Sequence, residues 1–222
     1  MYNNVNISSV DPHLVEIWVR GWAIAREVAP PVKDSGALRV EVGWPDQQRR
    51  YVFPAVTNSF RHLAATIVEP WVFLKVCAPQ QAVSPLLPSR WQIQDPGFMM
   101  ICSSPMAAPP DNLPGNYTLD VIPDLPVPVA RILTADGTIA AMGRIALVDN
   151  YVIYDRIETH PDHRRRGLGS RLMKALESLG AAHGNRKGIL VATTAGRALY
   201  ETLGWQLYSQ YTSVVIPGPL AV

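Results

Sequence analysis

Arg164-Arg165-Arg166-Gly167-Leu168-Gly169-Ser170 stands between a predicted strand and a predicted helix. The strand is Tyr151-Val152-Ile153-Tyr154-Asp155-Arg156-Ile157, rich in β-branched and aromatic residues. His160-Pro161-Asp162-His163 breaks it, and Leu168, Leu172, Leu176 and Leu179 then recur at helical spacing. A glycine-punctuated turn that opens a helix aims several unpaired backbone N–H groups at one point. The helix dipole adds partial positive charge there, worth roughly 0.3–1 kcal/mol to a nearby anion. Such a turn is a phosphate-binding site, and Gly167 and Gly169 leave the backbone open to close approach.

Two phosphate-binding motifs fail on this stretch. A Walker P-loop ends in Gly-Lys followed by Ser or Thr, whereas Ser170-Arg171 follows Gly169. A dinucleotide-binding fingerprint needs a third glycine, and Leu172 occupies that place. What remains is Arg164, two residues, Gly167, one residue, Gly169, preceded by His160-Pro161-Asp162-His163. This pattern resembles the pyrophosphate-binding motif of the GCN5-related N-acetyltransferase (GNAT) superfamily. Downstream, Ala198-Leu199-Tyr200-Glu201-Thr202-Leu203-Gly204-Trp205 resembles the late helix of that superfamily. Lys187-Gly188-Ile189-Leu190-Val191-Ala192-Thr193-Thr194 reads as a buried strand between the two matches. The resemblance runs from Tyr151 to the C-terminus and rests on the ordered combination, the glycine turn alone being a weak signal. It implies an α/β fold, an α+β mixed sheet with a GNAT-like acetyltransferase core and an N-terminal small α/β half.

Composition narrows the setting. The chain has 222 residues, is 48% hydrophobic and carries a formal net charge of +2, which argues against a general nucleic-acid-binding surface. Cys77 and Cys102 are too few for a disulfide framework. Met1-Tyr2-Asn3-Asn4 lacks the basic and apolar regions of a leader, and no run of about 18 apolar residues is present to span a membrane. The expectation is a cytoplasmic protein with no membrane and no nucleic-acid partner.

The prolines divide the chain. Ser103 to Gly115 holds Pro105, Pro109, Pro110 and Pro114, a semi-rigid connector. The expected organisation is residues 1–104 as an N-terminal α/β region, 105–115 as the connector and 116–222 as the GNAT-like acetyl-CoA-binding half. After the connector, strands are expected at Tyr117–Val121, Val129–Thr134 and Ile139–Leu147, with Asp136-Gly137 as a hairpin turn. The superfamily places two helices after its first strand; here Pro123-Asp124-Leu125-Pro126-Val127-Pro128 fills the gap and cannot form one. The acceptor pocket those helices build is therefore open unless the N-terminal half covers it. In that half Asp11 and Pro12 read as a helix start, with Val10 and Val15 as a staple and Leu14, Trp18, Trp22 and Ala25 at helical spacing. Strands follow at Ala37–Val42, Arg50–Val56, Val72–Val76 and Gly97–Cys102, with a helix over Ser59–Ile67. This half reads as a degenerate copy of the same fold without a second glycine motif, and hence without a second active site.

The resemblance implies an acetyl-CoA-dependent N-acetyltransferase, an acyltransferase in which an amine attacks the thioester directly in a ternary complex. It implies that acetyl-CoA, the co-substrate, is held by Arg164, Arg165, Arg166, Gly167, Gly169 and Ser170 around its phosphates. Ile157 and Thr159 would pair with its pantetheine arm, and Thr193 stands where the superfamily has an asparagine. Tyr200 matches the superfamily tyrosine that protonates the departing thiolate. An alkyl amine near pKa 10.4 needs about 4.6 kcal/mol to be neutral at pH 7, so a base is expected. Asp155 is one candidate, since it alternates with Ile153 and Ile157 on one face; Glu158 is another if a bulge turns it. Ile153 stands where histone-acetylating members carry their glutamate, which argues against that subgroup.

Plainer readings stand beside these. Asp155 pairs structurally with Arg156 or Arg131, Tyr200 is a half-buried core aromatic, His160 and His163 are exposed loop residues, and the cysteines are small hydrophobes. No residues have metal-ligand spacing, so no metal is expected. The acceptor is a small-molecule or peptide amine, and homodimers have precedent in the superfamily. Two other classes remain open: a non-catalytic acyl-CoA-binding sensor or regulatory module, and a protein-interaction module with a vestigial CoA site.

Overall fold

The computed structural model describes residues 10–108, 113–184 and 187–219. Met1-Tyr2-Asn3-Asn4 and the connector's centre, 109–112, lie outside the described residues. In chain order the elements are α1 (Pro12–Arg26), β1 (Val32–Asp34), β2 (Ala37–Trp44), β3 (Gln47–Phe53), α2 (Asn58–Thr66) and β4 (Val72–Val76). Next come α3 (Gln80–Val83), β5 (Gln92–Ile93), β6 (Gly97–Cys102), β7 (Tyr117–Ile122), β8 (Val129–Thr134) and β9 (Ile139–Val148). The last are β10 (Tyr151–Thr159), α4 (Leu168–Ala182), β11 (Lys187–Ala192), α5 (Thr194–Thr202) and β12 (Gln206–Val215). No helix among the described residues is long and apolar enough to cross a membrane.

The mixed α/β architecture read from the sequence is the one observed. Among the described residues the sheet has 12 strands in the order β1-β2-β3-β4-β12-β6-β11-β10-β9-β8-β7, with β5 on β12. Each half runs through the same sequence of pairings. In the N-terminal half β1, β2 and β3 are antiparallel neighbours, and β4 joins β3 in parallel after α2. In the C-terminal half β8, β9 and β10 are antiparallel neighbours, and β11 joins β10 in parallel after α4. The halves then exchange strands. β6, from the N-terminal half, pairs with β11, while β12, from the C-terminal half, pairs with β4. The proline-rich connector therefore divides the chain but not the sheet.

Local chemistry accounts for the elements around β10. Asp11 caps α1 by accepting from the His13 N–H at 2.9 Å, and Pro12 fills the first helical position, where no N–H is needed. The Asp136-Gly137 turn closes the β8–β9 hairpin, with Gly137 at φ 86°. α1 and α4 cover opposite faces of β10. Leu168, Leu172, Leu176 and Leu179 of α4 are buried on one face, and Val15, Trp18, Val19 and Trp22 of α1 on the other.

Both helices reach the strand through glycine. A Cβ added at Gly21 of α1 would lie 2.1 Å from Ile153 Cγ1, and one at Gly180 of α4 would lie 2.5 Å from Val152 Cγ2. Ile153 and Val152 are adjacent and point to opposite faces, so β10 is gripped from both sides at one place. Gly21→Ala should therefore destabilise the protein by about 1–3 kcal/mol through overpacking, although alanine favours a helix by about 1 kcal/mol over glycine. Urea unfolding checks this: the midpoint falls if α1 docks as described, and an unchanged or higher midpoint contradicts it.

Candidate active site

Beyond the gripped segment β10 and β11 part. Their parallel pairing covers Tyr151–Lys187, Val152–Gly188 and Ile153–Ile189. β11 continues to pair with β6 as far as Ala192–Phe98, and β10 continues with β9 as far as Thr159–Ala141. A bulge deflects β10 at this point. Asp155 lies opposite Arg144 and Glu158 opposite Met142, so Arg156 and Ile157 share the place of one β9 residue. Arg156 takes up the bend at φ 50°, a left-handed conformation that a residue with a side chain holds only when its surroundings enforce it. The wedge between the strands opens into a cleft of about 940 Å³ that runs to the glycine turn.

The bulge changes which side chains face the site. Arg144 and Met142 lie two apart on β9 and share a face, so their partners Asp155 and Glu158 share it too. Simple alternation placed Ile157 beside Asp155. Ile157 instead points to the α4 face, where its Cδ1 is 2.6 Å from a Cβ built on Gly143. The extra residue is the reason. Ile153, Asp155 and Glu158 are thus on the α1 face, and both carboxylates line the cleft.

At the far end of the cleft, α4 starts at Gly167, with φ 73°, and no side chain caps it. The opening N–H groups of the helix, those of Leu168, Gly169 and Ser170, have no partner within it. α2, the counterpart helix in the N-terminal half, is closed instead: Thr57 Oγ1 accepts from the Phe60 N–H at 3.2 Å. Gly169 lies where a Cβ would meet Leu199 Cδ2 at 2.8 Å and Thr159 Oγ1 at 4.0 Å, so the turn abuts the end of β10. Arg164, Arg165, Gly167, Gly169 and Ser170 line the cleft.

Arg166 does not line it. Its guanidinium donates to the Tyr117 hydroxyl at 2.9 Å and to the Asp162 carbonyl at 3.1 Å. The Tyr117 hydroxyl also meets His163 Nδ1 at 2.9 Å, so His163 is half-buried rather than an exposed loop residue. Together these contacts tie the turn to β7. Arg164 bends back, its Nε donating to the Thr159 carbonyl at 3.1 Å. Thr193 lines the cleft but is engaged as the cap of α5, its Oγ1 accepting from the Gly196 N–H at 3.2 Å.

At the other end stand Tyr200 and the Asp155–Arg26 pair. Tyr200 is 6% exposed and lines the cleft from α5. Burial, and then the Asp155 carboxylate, raise its phenol above the ordinary value of 10. Asp155 pairs with neither Arg156 nor Arg131; Arg131 bonds Asp120 at 2.5 Å. Arg26, at the end of α1, holds Asp155 with both nitrogens of its fork, Nε to Oδ2 at 2.5 Å and Nη2 to Oδ1 at 3.0 Å. Sequence reasoning missed Arg26 as a cleft residue and read Arg156 only as a partner for Asp155. Arg26 and Asp155 are 129 residues apart, and no local spacing links them. The one signal available was a basic residue in the last turn of α1. Neither cysteine belongs to the cleft. Both are buried, and burial pushes the Cys77 thiol up to about 12 and raises Cys102, so neither offers a thiolate.

No curated protein matches the sequence. Solved structures match over most of its length. A GCN5-related N-acetyltransferase from Kribbella flavida is 16% identical, with TM-score 0.59 over 89% of this chain and 93% of that one. A GCN5-related N-acetyltransferase-like protein from Streptococcus suis is 13% identical, with TM-score 0.60 over 91% and 97%. One from Sphaerobacter thermophilus is 13% identical, with TM-score 0.58 over 84% and 79%. At such identities the likeness is one of fold. The sequence profile of the acetyltransferase (GNAT) family matches residues 107–205, the stretch that carries the bulge, the glycine turn and Tyr200.

Proposed function

We propose that the protein is an acetyl-CoA-dependent N-acetyltransferase that acts by direct attack of an acceptor amine within a ternary complex. The observation that carries this reading is the uncapped start of α4 at one end of a cleft whose other end holds a buried phenol. A thioester ligand with a pyrophosphate fits that layout: the turn supplies N–H donors and positive dipole, and the parted strands leave backbone groups for an extended arm. Acetyl-CoA, when bound, supplies the activated acetyl group.

The chain's own residues divide the remaining work. Gly167, Gly169 and Ser170 hold phosphate by their backbone, with Arg164 and Arg165 adding charge. Ile157 and Thr159 offer backbone groups along the parted edge of β10. Tyr200 donates a proton to the leaving sulfur; its raised pKa keeps it a phenol across neutral pH. Glu158 is the better placed proton acceptor of the two carboxylates, because Arg26 already occupies both oxygens of Asp155. Asp155 then serves as the anchor that fixes Arg26 in the site. The acceptor enters under α1, which takes the place of the helices missing between β7 and β8. A second reading, acyl-CoA binding without turnover, draws on the commitment of Asp155 to Arg26 and of Thr193 to its cap; turnover separates the two.

Two experiments test the proposal. Ser170→Asp puts an anion in the first turn of α4, which favours the helix dipole but opposes a phosphate there. Calorimetry should show acetyl-CoA affinity falling by more than about tenfold, or 1.4 kcal/mol, while Tm holds or rises. Equal affinity in parent and variant would place the donor elsewhere. In a free-thiol assay, Tyr200→Phe and Glu158→Gln should each lower kcat by about 10²–10⁴ with acetyl-CoA affinity retained. The Tyr200→Phe loss should be similar at pH 7 and at about pH 9, since the raised phenol pKa lies above both. Full kcat in either variant removes that residue from the mechanism.

A further inference from the structure

Positive charge gathers at the acceptor end of the cleft beyond what its carboxylates balance. Arg26 and Arg156 both line the cleft, and their guanidinium carbons lie 5.6 and 5.8 Å from the centre of the Trp44 ring. One comes from the end of α1 and the other from the bulge of β10, and the β2–β3 hairpin supplies the indole between them. Arg26 is engaged by Asp155, whereas Arg156 is exposed and has no carboxylate partner among the described residues.

Behind them the imbalance continues. Arg50 is 6% exposed, lies 3.3 Å over the Trp22 ring, and bonds the neutral Gln47 carboxamide at 2.9 Å. Its buried Nε has no acceptor. Burial pulls its pKa down to about 9, which leaves it cationic at neutral pH. Arg144 donates to the Ala25 carbonyl at 3.0 Å, and its buried Nε also lacks an acceptor. Against these cations stand Asp155 and Glu158. Cations held out of water need anions, and the protein supplies too few.

The donor does not supply the missing charge here. Its phosphates belong at the glycine turn, which adjoins Thr159, whereas Arg156 precedes Thr159 on β10 and sits at the same end as Tyr200 and Asp155. We infer that the acceptor is an amine that also carries a carboxylate, and that Arg156, with Arg26 and Trp44 beside it, receives that carboxylate. A guanidinium fork matches a planar carboxylate, and Arg26 already makes that contact with Asp155. The class is that of amino acids and similar carboxylated amines. Arg156 is a specificity-determining residue, and its left-handed backbone is the strain that aims it into the cleft.

This inference rests on the acetyltransferase reading, so the experiment separates the two. Acetyl-CoA binding is measured first by calorimetry. Free-thiol release is then compared for the twenty common amino acids and their neutral C-terminal amides, which keep side chain and amine but lose the carboxylate charge. The expected result is a kcat/KM at least tenfold higher for the best acid than for its amide. In Arg156→Gln that ratio should fall towards one, through KM for the acid, with acetyl-CoA affinity unchanged. Amides or simple amines that match the acids, a ratio that survives Arg156→Gln, or no acid turned over by protein that binds acetyl-CoA would each overturn the inference. Absence of acetyl-CoA binding would overturn the donor reading and this inference with it.

Discussion

β10 leaves β11 after Ile153, and the cleft exists because it does. Up to that residue the strand is fixed on both faces by helix glycines, Gly180 against Val152 and Gly21 against Ile153. Beyond it the bulge adds a residue and turns the strand away. A strand edge that loses its partner must satisfy its N–H and C=O groups in some other way. In a sheet buried between helices that vacancy is a cleft rather than an open edge. The same bulge carries Glu158 round to the face of Asp155 and sends Ile157 into the packing under α4. One inserted residue thus opens the slot and sorts which side chains look into it.

The exchange of strands explains why both halves are needed. β6 reinforces β11 on the side away from the cleft, so β11 stays in place when β10 departs. β12 pairs with both β6 and β4 and holds the N-terminal strands to the C-terminal ones. This arrangement brings α1 over β9 and β10 and delivers Arg26 to Asp155. The two halves repeat one order of strands, yet α2 and α4, the helices that join their parallel strands, start differently. The difference is chemical. Thr57 caps α2 with its own hydroxyl, whereas Gly167 has no side chain with which to cap α4.

The legible parts of this molecule were the local ones. The glycine turn, the leucine spacing of α4, the Asp11-Pro12 start of α1 and the Asp136-Gly137 hairpin each depend on residues close in sequence. Their chemistry is written where it acts. The bulge was not legible in the same way, because a strand with one extra residue reads as the same run of β-branched and aromatic side chains. Alternation across Asp155 and Ile157 then gave the wrong face for Ile157. The Arg26–Asp155 pair, the turn of Arg166 towards Tyr117 and the exchange of β6 and β12 depend on contacts made only when distant segments fold together. For those the sequence offers residue types without partners.

On the proposed function, an acyl-CoA occupies the slot between β10 and β11 with its phosphates on the start of α4. Amide hydrogen exchange with and without acetyl-CoA tests it most directly, because backbone N–H groups are the proposed ligands. Added protection is expected at 157–159 and 167–170, with none at the capped start of α2. Protection confined to other segments, or none at 167–170 at saturating acetyl-CoA, would contradict it.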